Sequence, residues 1–125
     1  MESFLFEIFF FAVVLILFLF VDYPYLSIIF ETYNNVINNI QGSFINAKIL
    51  GFVVTYLIIA FQFYYFYSKK MSLSDAFVLG FTSYGIYDFT NYALFDNYPL
   101  GVAITDMVWG GILYSIVFSI IKFYD

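Results

Sequence analysis

A chain of 125 residues that is 64% hydrophobic, 26% aromatic and only 10% charged cannot hide its apolar side chains in one small soluble core, so lipid must cover most of its surface. The absence of Cys and His excludes disulfides, thiolate and imidazole metal sites, and imidazole acid–base catalysis. A net charge of −5, with four lysines and no arginine, argues against a nucleic-acid partner, and no cofactor-binding loop or metal-finger motif is present.

Residues 4–21, "FLFEIFFFAVVLILFLFV", form an almost unbroken apolar run, long enough as a helix to cross most of a ~30 Å hydrocarbon core. The run lacks a basic leader and a small-residue cleavage site, which favours an uncleaved helix over a signal peptide. Glu7 is placed to snorkel toward the nearer interface.

Residues 25–41 differ in character. Ile29, Tyr33, Val36, Ile37 and Ile40 recur at helical spacing among Asn and Ser, which predicts an amphipathic stretch. It is expected either as a connector along the membrane interface or as an extension of the first helix kinked near Pro24.

The second span is expected over 47–67, with Tyr64, Tyr65 and Tyr67 as an interfacial belt before Lys69 and Lys70. Ser72, Leu73, Ser74 and Asp75 supply a helix start for a third span over 75–95. "DNYP" at 96–99 predicts a tight turn into a fourth span over 100–121. The fold class is therefore all-α: a multi-pass membrane protein with four transmembrane helices and an amphipathic connector after the first. Lys69, Lys70 and Lys122 on one side against Lys48 on the other predict that both termini are cytoplasmic.

Against this background the polar residues of "YGIYDFTNYALFDNYPLGVAITDMVWGG", 84–111, are conspicuous. Asp88 lies ~10 Å before the end of the third span and Asp106 ~9 Å after the start of the fourth, so both sit at one depth. Asp22 ends the first span and Lys48 opens the second on that same side. Tyr84, Asp88 and Asn91 fall within roughly 60° of one another on a helical wheel, and Asp106, Trp109, Gly110 and Leu113 form a comparable stripe. Gly80 and Gly85, with Gly110 and Gly111, are expected to let the third and fourth helices approach closely.

A carboxylate at the centre of a membrane helix costs ~2.5–3.5 kcal/mol on insertion scales, so these acids are expected to face inward. The candidate polar centre is Asp22, Tyr84, Asp88, Asn91, Asp106 and Trp109. Mutual repulsion would be relieved by a shared proton, a bound cation or the ammonium of Lys48. An all-oxygen ligand set suits a hard cation such as Na⁺, Mg²⁺ or Ca²⁺.

The motifs "YDFTN" (87–91), "DMVWGG" (106–111) and "FVDYPYL" (20–26) resemble those of the domain of unknown function 2177 family of small membrane proteins, over nearly the whole chain. In that family the first motif usually reads Tyr-Asp-Leu-Thr-Asn, and Phe89 replaces the Leu here. A Trp commonly follows the first-span Asp, and Tyr25 stands near that place. The resemblance implies four spans and a shared signature of Asp88, Thr90, Asn91, Asp106, Trp109 and Gly110. It implies no substrate.

Three functional classes follow. The first is a centre that binds a proton, a hard cation or a small polar ligand, with transport requiring a homo-oligomer. The second is a structural or assembly protein, for example of a large DNA virus envelope; the weight of Phe, Tyr, Ile and Asn suggests an AT-rich coding sequence, as in some large DNA viruses, protists and bacteria. The third, intramembrane catalysis by two carboxylates, is the weakest, because Thr-Asp-Met around Asp106 lacks the Gly-rich context of intramembrane aspartyl proteases.

Overall fold

The structure, a computed structural model, describes residues 2–125. Four helices follow in order: α1 (Glu2–Gln41), α2 (Ile49–Ser68), α3 (Leu73–Leu94) and α4 (Leu100–Tyr124). They run alternately up and down. The start of α1, the end of α2 and the end of α4 meet at one end, where Phe10 lies 5.5 Å from Tyr67 and the Tyr67 hydroxyl donates to Asp125 at 2.6 Å.

The first helix is the unusual element. Its 40 residues span ~60 Å, about twice the hydrocarbon thickness. The amphipathic stretch 25–41 is helical and continuous with the first span, with Pro24 inside the helix. Its inward positions Tyr25, Ile29, Tyr33, Val36 and Ile40 carry the stripe onward. Val36 packs with Tyr98, Val102 and Ala103, and Tyr33, Ile40 and Phe89 close around them. The helix survives the proline because the α3–α4 turn gives this stripe an apolar surface to cover. It ends at Gly42, whose φ of +79° turns the chain, while Asn34 Oδ1 accepts from the Ile45 amide at 2.9 Å.

The start of α3 is closed by a reciprocal cap: the Ser72 hydroxyl accepts from the Asp75 amide at 3.2 Å and Asp75 Oδ2 accepts from the Ser72 amide at 2.9 Å. Between α3 and α4, Phe95–Pro99 forms the turn, with Pro99 as the N-cap of α4.

The apolar core lies toward the end that holds the termini. Phe18 meets Tyr114 edge-on at 5.0 Å and Phe63 at 5.4 Å, among Val14, Ala60 and Val117. Helices α3 and α4 are the most intimate pair. A Cβ on Gly80 would collide with the Gly110 carbonyl oxygen, and one on Gly110 would come within 2.5 Å of the Gly80 carbonyl oxygen. A Cβ on Gly85 would press on Met107 Sδ at 2.8 Å, and one on Gly111 on the Phe77 ring at 2.6 Å.

Helices α1, α2 and α4 are each long and apolar enough to cross a membrane. The 22 residues of α3 supply the length, but Ser, Thr, Tyr, Asn and Asp dilute its apolar content. Large apolar side chains stand outward on the others, for example Phe20, Ile28 and Ile49, as a lipid-facing surface requires.

Candidate functional site

Three aspartates from three helices are buried: Asp22 on α1, Asp88 on α3 and Asp106 on α4. Each is met by phenol or indole donors. Asp22 has both oxygens occupied, since the Tyr56 hydroxyl of α2 donates to Oδ2 at 2.5 Å and the Trp109 indole N–H of α4 donates to Oδ1 at 2.7 Å. One helical turn along α1, the Tyr25 hydroxyl donates to Asp106 Oδ1. The Tyr25 ring also stacks on Trp109, with centroids 4.7 Å apart and planes 13° from parallel. These contacts lock α1, α2 and α4 at one height.

Asp88 is the least exposed of the three, with no exposed surface. Tyr98, in the α3–α4 turn, donates its hydroxyl to Asp88 Oδ1 at 2.5 Å. Tyr33, from the extension of α1, lies 2.7 Å from the Tyr98 hydroxyl and 3.4 Å from Asp88 Oδ1. A phenol has one proton to give, so the arrangement satisfying both tyrosines runs Tyr33 to Tyr98 to Asp88. The other oxygen, Asp88 Oδ2, is buried and receives no donor.

A sequence profile of the family described as a predicted membrane protein, domain of unknown function 2177, matches residues 7–123. The chain belongs to that family. The match spans all three aspartates, the tyrosines that bind them and Trp109. No curated protein and no solved structure matches the chain.

Within this chain of the DUF2177 family, Trp109 binds Asp22 and stacks on Tyr25, which binds Asp106, whereas Asp88 is held separately by Tyr98 and Tyr33. Tyr84 is placed differently: its ring rests where a Cβ of Gly110 would stand, so it fills the α3–α4 seam. Asn91 is half-buried one turn beyond Asp88, beside Tyr98. Thr90 turns outward and donates to the Ile86 carbonyl of its own helix at 2.5 Å. Lys48 is exposed at the N-cap of α2, two helical turns before Tyr56, and is not a hydrogen-bonding partner of these acids. Rise along the helix, ~1.5 Å per residue, explains the separation.

Sequence reasoning overlooked most of the donors. Tyr56 and Tyr98 are two of 13 tyrosines with no local pattern to set them apart, and the spacing of Tyr33 marked it as a stripe residue but not as a donor. A second polar layer was also overlooked: Tyr114 donates to Gln62 Oε1, and Gln62 Nε2 donates to Ser83 Oγ at 2.9 Å, tying α2, α3 and α4 together. Gln62, a lone amide in an apolar run, was the available signal.

The chemistry that this geometry permits is narrow. Among the described residues no group of three acids stands close enough to hold a metal ion. Each aspartate is instead met by aromatic donors.

Proposed function

We propose that this membrane protein holds a proton on Asp88, in a buried centre closed by tyrosines. One observation carries the reading: Asp88 is wholly buried and its Oδ2 has no donor. An ionised carboxylate with a bare oxygen in a water-poor interior carries a large desolvation cost, which the neutral acid avoids. The Tyr33–Tyr98–Asp88 series leads toward the α3–α4 turn, which makes that end of the bundle the route for proton exchange. Below the centre, the Phe18, Phe63 and Val117 core supports access from one end only. The lysine distribution supports cytoplasmic termini and a proton-exchanging mouth on the opposite face.

The test is infrared spectroscopy of the protein in lipid. The wild type should show the C=O stretch of a protonated carboxyl group at neutral pH, and Asp88→Asn should lose it. A wild-type spectrum without that band would refute the reading. Melting in Na⁺, K⁺, Mg²⁺ and Ca²⁺ separates a proton from a cation, because a bound ion raises Tm by mass action.

A second reading, a polar centre that serves packing and assembly, draws support from Asp22, whose two oxygens are both saturated by partners on other helices. It predicts that Asp88→Asn and Asp106→Asn leave function intact, since at each the amide oxygen can accept the bonds now made to Oδ1.

A further inference from the structure

Helices α2 and α3 are joined by a turn of only four residues, 69–72, yet they pack mainly on other helices rather than on each other. The Gln62–Ser83 hydrogen bond ties them deep in the bundle. Between that tie and the turn they leave a groove of about 410 Å³ open to the side. Its walls are the apolar side chains of Phe66, Met71, Val78 and Leu79, and its head carries Lys69 and Lys70.

The chemistry of the groove changes along its length. At the head, two of the four lysines of a chain with net charge −5 share one tight turn, which Lys70 closes with φ +65°. The Lys69 ammonium sits 5.3 Å from the centroid of the Tyr65 ring, over the end of α2. Asp75, the acid on the rim, has one oxygen taken up by the cap at Ser72. Farther along, Thr82 turns its hydroxyl to the Val78 carbonyl at 2.6 Å and adds no free donor to the wall. Paired cations at the membrane surface above an apolar cleft match one amphiphile: a negatively charged head group with an acyl chain.

We infer that the α2–α3 groove binds an anionic phospholipid, with its phosphate at Lys69 and Lys70 and one acyl chain along Phe66, Val78 and Leu79. The lipid fills the wedge that these two helices leave open and is a structural ligand of the bundle. This site is independent of the aspartate centre.

The experiment is native mass spectrometry of the detergent-purified protein with equal amounts of phosphatidylglycerol and phosphatidylcholine of identical chains. The wild type should retain phosphatidylglycerol in roughly tenfold preference, the scale expected of two lysines near a charged surface. Lys69→Gln/Lys70→Gln should abolish the preference. Val78→Trp, which fills the groove from an exposed position and leaves both lysines, should abolish retention. Glycerol phosphate should not displace the lipid. Equal retention of the two lipids, a preference that survives either variant, or displacement by glycerol phosphate would each overturn the inference.

Discussion

Tyr98 lies in the α3–α4 turn and Asp88 on α3, and the phenol of the one donates to the carboxyl of the other at 2.5 Å while both are almost fully enclosed. The bond therefore fixes the turn to α3 and brings Tyr98 under the extension of α1, where Tyr33 completes the series. A single hydroxyl thus connects the α3–α4 turn to a wholly buried acid.

Tyr98→Phe should leave a buried acceptor without its donor, at a cost of about 1–3 kcal/mol. The measurement is reversible unfolding in mixed micelles. In the Asp88→Leu background the same substitution should cost far less, because the acceptor has gone. Equal costs in the two backgrounds would remove Tyr98 from the centre.

A proton held by Asp88, as proposed, makes stability depend on pH with a definite sign. An aspartate in the unfolded chain ionises near pH ~4, so above that the unfolded state binds fewer protons than the folded state. Stability should therefore fall as pH rises from about 4 until Asp88 itself ionises. Asp88→Asn should flatten that slope. A wild type whose Tm is constant through this range, or rises, contradicts a resident proton.

The close approach of α3 to α4 yields a contrast among glycines. Gly80→Ala or Gly110→Ala should destabilise by about 1–3 kcal/mol, as overpacking of a tight contact does. Gly51→Ala and Gly101→Ala, where a Cβ would meet nothing within 4 Å, should be neutral or mildly stabilising. Thermal melts of the four variants are sufficient to check this.

Trp109 is the single tryptophan of the chain, so its fluorescence reports on the centre alone. Its emission should be blue-shifted and protected from an aqueous quencher. Asp22→Ala removes the acceptor of the indole N–H and should alter both properties, with a loss of about 1–3 kcal/mol from the donors left behind. Emission identical to that of the wild type would mean that the Asp22–Trp109 bond does not exist in the membrane.

Much of the fold was legible because it depends on short-range rules. The apolar runs of α1, α2 and α4, the Ser72–Asp75 cap and the Pro99 start of α4 are local patterns. The spacing of Tyr33, Val36 and Ile40 disclosed a buried stripe but not the surface it covers, because that surface, around Tyr98 and Val102, lies more than 60 residues onward.

The site was legible in its acids and opaque in their partners. An aspartate in an apolar run is conspicuous because ionised groups are costly there, whereas a tyrosine in a chain with 13 of them is not. Lys48 illustrates the limit from the other direction. It is close to Asp22 in predicted depth, yet α2 begins beyond it and leaves it exposed.

By itself the sequence determined a helical, lipid-embedded chain of the DUF2177 family, with inward-facing acids at one depth, since apolar length and the cost of buried charge act residue by residue. Only the tertiary structure decided which donor meets which acid. Trp109 reaches Asp22 across 87 residues, Tyr25 reaches Asp106 across 81 and Tyr33 reaches Asp88 across 55. Those pairings depend on the rotation of each helix about its axis, which is set by packing at Gly80 and Gly110 and by the continuation of α1 past Pro24.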